Sequence, residues 1–221
     1  SDALATLLTG LLPMIPDVPW VRLLYTYPGM VTDRLIELMA GNNQLLPYLD
    51  MPLQHADPSV LKAMSRPSNV EWVSETITKM RHLIPNLVVR TTMIVGFPTE
   101  TEKSFEVLLN LVRDMKFDHL GVFTYSPEMD TSAYTLADTI PPDVKEARKD
   151  KLMKLQSEIS LSRLKKLKGE TLDMLVEGVN AEEHLLVGRT YRDAPEIDGS
   201  ATPTGTAEEG DLVSIRITNT T

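Results

Sequence analysis

The sequence predicts an α/β chain: an incomplete parallel (β/α) barrel followed by a small all-β unit of the OB-like type. Three observations predict it. Strand-like apolar runs alternate with helical patterns over residues 1–142, the order of βαβ units around a parallel sheet. Only four such strands are visible, too few to close the usual barrel. After Gly169 the pattern changes to short strands between glycine turns, as in a small β-barrel.

The elements follow in order. The opening DALATLLTGLLPMIP reads as the helix that follows a strand, with no strand before it. That favours a chain cut inside a domain. Trp20–Tyr25 is an apolar strand. Thr32 can cap a short helix to about Ala40. Leu46–Met51 reads as a strand despite Pro47. Asp57 before Pro58 is an N-cap with proline at the first helical position. Val70, Val73, Ile77, Met80 and Ile84 carry helical spacing. Leu87–Val95 is rich in β-branched residues. Thr99 and Glu102 form a T-x-x-E capping box for a helix to about Met115. Leu120–Tyr125 is the next strand, and residues 126–142 form a loop. A basic helix covers 143–168 and connects the two units. Its nine Lys/Arg are interleaved with acids, which points to a solvated face. Its buried stripe includes Leu152, Leu155 and Ile159. Residues 169–221 form the β unit, with strands at Thr171–Glu177, Leu185–Thr190 and Leu212–Thr218.

Composition narrows the function classes. Hydrophobic content is 42% and charged content 24%, as in a soluble globular chain. No apolar run is long enough to suggest a membrane span. The N-terminus lacks a secretory pattern, so the chain reads as cytoplasmic. The absence of cysteine excludes disulfides and thiolate metal sites. His55, His82, His119 and His184 are scattered, without zinc spacing, so no metal site is expected. The net charge is −9, and residues 168–221 carry 11 acidic against 4 basic groups. Such a segment repels phosphate and attracts basic protein; it also suits a face kept acidic for solubility.

Four segments resemble one family. PYLDMPLQHADPSVLKAM, RTTMIVGFPTETE and FTYSPEMDTSAY resemble the fourth to sixth strand regions of radical S-adenosylmethionine methylthiotransferase barrels. GRTYRDAPEIDG resembles the C-terminal domain of their RimO-type, ribosomal-protein branch. The resemblance covers most of Val18–Arg216. It implies a partial radical SAM barrel, 1–142, followed by a TRAM domain, with the first strand and its CxxxCxxC cluster loop upstream. The implied cofactors are S-adenosylmethionine and iron–sulfur clusters. This chain cannot hold clusters through cysteine, and thiolates are their usual ligands.

The resemblance also implies site residues. Gln54 and His55, ending one strand, would hydrogen-bond the ribose or the methionyl group; alternatively both cap the next helix. Arg90 lies within an apolar strand, where a buried guanidinium needs an anion. The cofactor carboxylate is one candidate and an internal salt bridge the other. Thr92 shares the face of Arg90, because strand side chains repeat every second residue. Ile94 and Gly96 match a motif that packs on adenine, with Gly96 giving room for close approach; alternatively Gly96 only ends its strand. Val122 and Phe123 would offer backbone groups to adenine, or are core residues. Tyr125 and Ser126 lie at the same rim. Glu100 favours the helix dipole.

Charge and motif together point to the RimO-type branch rather than the tRNA-modifying MiaB-type. Arg189, Tyr191, Arg192, Asp193, Glu196 and Asp198 would contact a basic small-subunit ribosomal protein, protein twelve; alternatively they form a hairpin held by local salt bridges. A membrane partner is not expected, and the acidic segment argues against nucleic acid. The expected activity of the parent is addition of a methylthio group to an aspartate β-carbon, with this chain inactive alone. The alternatives are a cluster-free binding module for that basic protein and a tRNA methylthiotransferase. SATPTG (200–205) stands where the family places an apolar strand, and its polar residues and proline weaken that strand.

Overall fold

The computed structural model describes residues 2–180 and 185–220; His184 lies outside them. Strands β1 (Val21–Leu23), β2 (Leu45–Asp50), β3 (Val88–Val95) and β4 (His119–Thr124) form a parallel sheet in sequence order. Helices α1 (Ala3–Leu11), α2 (Asp33–Gly41), α3 (Pro58–Ala63), α4 (Val70–Leu83), α5 (Glu102–Met115) and α6 (Pro142–Leu164) surround it. None of the described helices is long and apolar enough to cross a membrane.

Local chemistry explains the helix starts. Thr32 accepts from the Leu35 N–H, Asp57 from Ser59 and Val60, and Asn69 from Trp72; each satisfies donors that a helix N-terminus leaves unpaired. The fifth helix starts later than its T-x-x-E pattern predicts. Its N-cap is Thr101, boxed with Ser104, and Glu100 is thereby released from the helix to become a buried hub.

One face of the sheet packs on the helices. Leu49, Met51, Val89, Met93, Val95, Leu120 and Val122 join α4 and α5 side chains, including Ile77, Met80, Leu108 and Val112, in one core. Burying each such side chain is worth roughly 1.5–3 kcal/mol. The opposite, inner face carries Tyr48 and Asp50 on β2, Arg90, Thr92 and Ile94 on β3, and His119, Gly121 and Phe123 on β4. The register pairs Asp50 with Arg90, Arg90 with His119, Thr92 with Gly121 and Ile94 with Phe123, so these residues share that face.

The long helix α6 is less solvated than its charge pattern suggests. Leu152 is fully buried, and Leu155 and Ile159 pack on the core. Several polar groups of α6 are internal. Arg148 pairs with Glu100 at 2.6 Å, Gln156 donates to the Phe117 carbonyl at 2.8 Å, and Arg163 pairs with Asp118 at 2.7 Å. These contacts make α6 a packed layer against β4.

The C-terminal unit is an antiparallel sheet of β5 (Thr171–Asn180), β6 (Leu185–Thr190) and β7 (Leu212–Arg216), with β5 central. Met174, Val176, Leu186 and Ile215 form its core. Among the described residues, the polar 200–205 segment pairs with β6 through the bridges Leu185–Thr204 and Gly188–Ala201. Its proline contributes a carbonyl, accepting from the Leu186 N–H at 2.9 Å. Pairing there is thus compatible with a residue that lacks a donor.

Candidate functional site: the inner face of the barrel

Parallel strands aim their C-terminal ends at one rim, where functional groups gather. Here that rim is formed by Tyr25 after β1, Gln54 beyond β2, Gly96 after β3 and Tyr125 after β4. Gln54 sits in the left-handed region at φ 71°. Its backbone extends the ladder: its N–H donates to the Thr92 carbonyl at 2.9 Å, and its own carbonyl accepts from Ile94 at 2.7 Å. The half-buried side chain is left at the rim.

The structure gathers Arg90, Thr92, Ile94 and Phe123 around Gly121. A β-carbon built on Gly121 would lie 3.6 Å from the Phe123 ring, 3.8 Å from Thr92 Oγ1 and 4.0 Å from Arg90 Nη2. Thr92 and Ile94 are half-buried, and Phe123 is 61% exposed. Gly121 thus keeps open a patch lined by a cation, a hydroxyl and an aromatic ring. The resemblance did not single it out; a glycine inside a strand was the available signal.

Arg90 already has carboxylate partners. Its Nη1 donates to Asp50 Oδ1 at 3.1 Å, and its Nε lies 3.4 Å from Asp198 Oδ1. The internal salt bridge weighed for this residue is therefore present. Its Nη2 makes no hydrogen bond among the described residues and remains available on the Gly121 side.

His55 is not at the rim. It is 1% exposed, its Nδ1 accepts the Asp57 N–H at 3.0 Å, and its Nε2 faces Glu100 Oε2 at 3.1 Å. With both ring nitrogens committed, His55 supports the start of α3 and has no group left for a ribose. Glu100, with a fully buried side chain, also accepts from the Gly96 N–H at 3.1 Å and from Arg148 Nη1 at 2.6 Å. One carboxylate thus ties the ends of β2 and β3 to α6, well beyond the dipole role expected of it.

Gly96 adopts φ 74°, and a β-carbon there would meet Lys145 Cγ at 2.3 Å. The close approach that glycine permits is to α6, in place of the ligand expected there. The Val122 side chain is buried in the helix-facing core; only its backbone, on edge strand β4, can face a ligand. Tyr125 packs edge-on against Phe97 at 5.1 Å.

The expected partner-facing residues have internal contacts. Arg189 pairs with Glu177 at 2.7 Å. Tyr191 donates to the Asn86 carbonyl at 3.2 Å, and Arg192 pairs with buried Asp118 at 2.8 Å. Asp193 accepts from the Thr190 N–H and hydroxyl. Burial, the largest effect, raises its carboxyl pKa above the ordinary value despite those bonds. Asp198 accepts from the Tyr48 hydroxyl at 2.5 Å; burial first, then this bond and the carboxylate's charge, push the phenol far above its usual range. Tyr191 and Ala194 pack on Leu46, Tyr48 and Val88. The hairpin therefore docks onto the lower inner face of the sheet, where Asp198 meets Tyr48 of β2 and Arg90 of β3 and lies 3.6 Å from His119 of β4. Of the six, only Glu196 is exposed.

The upper inner face offers a guanidinium nitrogen at Arg90 Nη2, a hydroxyl at Thr92 and apolar surface at Ile94 and Phe123, chemistry of the kind that a carboxylate, a polar group and a base would need. An iron–sulfur cluster does not fit, since no thiolate is available.

Comparison with known proteins bears on the two units of the fold. Residues 6–112 match the radical SAM superfamily and residues 169–221 the TRAM domain. The chain is 45% identical to the ribosomal protein uS12 methylthiotransferase RimO of Thermosynechococcus vestitus, over 97% of this chain and 48% of that protein. It is 44% identical to the Pelobacter propionicus protein of the same name, over 99% and 49%, and 40% identical to that of Crocosphaera subtropica, over 92% and 46%. The chain spans about half the length of these curated relatives. Coproporphyrinogen III oxidase (HemN) from Escherichia coli, described as a radical SAM enzyme, superposes with a TM-score of 0.59 at 16% identity. That superposition covers 70% of this chain and 37% of that one, and it bears on the fold alone. The radical SAM segment, the TRAM segment and the similarity running through both place this chain in the RimO-type radical SAM methylthiotransferase family.

Proposed function

We propose that the chain is the cofactor-holding barrel portion and TRAM unit of an enzyme that adds a methylthio group to an aspartate β-carbon of ribosomal protein uS12. The observation that carries this reading is the 40–45% identity, continuous through both segments, to relatives named as ribosomal protein uS12 methylthiotransferases. When bound, S-adenosylmethionine supplies the hydrogen-abstracting radical and the methyl group. The residues of this chain bind and orient it. Arg90 Nη2 meets the methionyl carboxylate, Thr92 a polar group beside it, and Gln54 the ribose. Ile94, the Phe123 ring and the β4 backbone at Val122 and Phe123 hold the adenine. The substrate is basic, and exposed acids of the C-terminal unit, Glu196, Glu208 and Glu209 among them, meet it.

Cluster ligation requires cysteines from outside these residues, so the chain alone does not turn over. The test is anaerobic treatment with iron and sulfide, then incubation with uS12, S-adenosylmethionine and a reductant, with mass spectrometry of uS12. No methylthiolated aspartate is expected. Its formation by this chain alone would overturn the assignment of the cluster to other residues.

A further inference from the structure

Asp198 belongs to the C-terminal unit, yet its carboxylate faces the barrel. Its side chain is 3% exposed. Oδ2 accepts from the Tyr48 hydroxyl at 2.5 Å and from the Ala194 N–H at 2.9 Å. Oδ1 lies 3.4 Å from Arg90 Nε and 3.6 Å from His119 Nδ1. Arg90 then reaches upward through Nη1 to Asp50. Asp50 is fully buried, and its second oxygen accepts the Tyr25 N–H at 3.0 Å. Tyr25, two residues beyond β1, has φ 56°, a conformation that a non-glycine residue holds only when its surroundings fix it.

We propose that Asp198 is a positioning residue for the barrel site: through Arg90 and Asp50 it fixes the end of β1 at the rim and turns Arg90 Nη2 toward the cofactor. This rests on the cofactor reading above. The guanidinium is a rigid fork. Pinning Nε from below with one carboxylate, and Nη1 from the side with another, leaves one direction for Nη2, toward Gly121 and Thr92. Without Asp198, Asp50 alone holds the fork, which can rotate about that bond. The Tyr25 N–H then competes with a mobile cation for the same carboxylate. The TRAM unit would thus be part of the site.

The test uses the full 221-residue chain and Asp198→Asn. The amide side chain can keep an acceptor for Tyr48 and Ala194 while removing the charge that faces Arg90. Amide hydrogen exchange is read at Tyr25 and, as a control, at Leu108, Leu109 and Val112 of α5. A calorimetric titration with S-adenosylmethionine is read alongside. Selective acceleration at Tyr25 of about tenfold is expected, the loss of about one charge-assisted hydrogen bond's net worth, with α5 unchanged and cofactor affinity lowered by a similar factor. Tyr48→Phe removes a bond to the same carboxylate but not its charge, and should leave Tyr25 exchange at the wild-type rate. Unchanged Tyr25 exchange in Asp198→Asn, equal acceleration in α5, or acceleration in Tyr48→Phe would each overturn the proposal. If Asp198→Asn does not fold, Asp198→Glu should give the selective acceleration, and wild-type exchange there overturns it. If the wild-type chain does not bind S-adenosylmethionine, the cofactor reading fails, while the exchange measurement still decides the positioning role.

Discussion

Replacing Glu100 by alanine should be the most damaging single change at the junction of sheet and helix. The carboxylate is fully buried and serves the Gly96 N–H, His55 Nε2 and Arg148 Nη1. Removing it strands a buried guanidinium that is only 10% exposed and retains a longer 3.3 Å contact with exposed Glu102. It also strands an imidazole N–H whose other nitrogen is engaged. Breaking one partner of a buried pair costs about 3–5 kcal/mol, and the retained Glu102 contact sets the expectation near the lower end, about 3 kcal/mol. With a urea slope of about 2–3 kcal/mol per molar, the barrel's unfolding midpoint should fall by about 1 M. Urea titration followed by far-UV circular dichroism reads this directly. Pairing Glu100→Ala with Arg148→Ala should recover part of the loss, because the stranded charge is removed with its partner. A midpoint shift within error, or strictly additive losses in the double variant, would refute the view that Glu100 is a buried hub.

Two further outcomes follow from the same contacts. Gly96→Ala must adopt φ 74° and displace Lys145; left-handed backbone and overpacking each cost about 1–2 kcal/mol, so thermal unfolding should show a loss of at least about 2 kcal/mol, and an unchanged midpoint would contradict the packing. Asp193 has a raised carboxyl pKa, through burial above all, so its folded state favours the protonated form. The stability it contributes is present at low pH and lost as pH rises through the raised value. Asp193→Asn should therefore match wild type in acid and equal or exceed it at neutral pH, as checked by urea midpoints across pH; a neutral-pH loss would contradict the sign.

Much of the fold was legible because its signals are local. The β-branched run at 87–95, the Asp57–Pro58 cap and the spacing of Val73, Ile77 and Met80 each specify an element within one window. The alternation of strand side chains likewise placed Thr92 on the face of Arg90. What stayed hidden depends on partners far apart in sequence. Glu100 lies 45 residues from His55 and 48 from Arg148; nothing local distinguishes it from a helix-dipole carboxylate. Asp118 and Asp198 read as ordinary acids, yet each holds cations contributed from another segment. The net charge of residues 168–221 suggested an open acidic surface, but burial of Asp193 and Asp198 in the hairpin's docking removes two of those acids from it. The 200–205 segment lacked strand propensity, and its pairing with β6 depends on carbonyls, which every residue has.

The most direct test of the cofactor site is a titration of the isotopically labelled chain with S-adenosylmethionine, followed by backbone and methyl NMR. Saturable shifts confined to Gln54, Arg90, Thr92, Ile94, Gly121, Val122 and Phe123, and abolished by Gly121→Val, are predicted. An absence of shifts at millimolar cofactor, or shifts centred on the His55–Glu100 cluster instead, would contradict the placement of the site on the inner face.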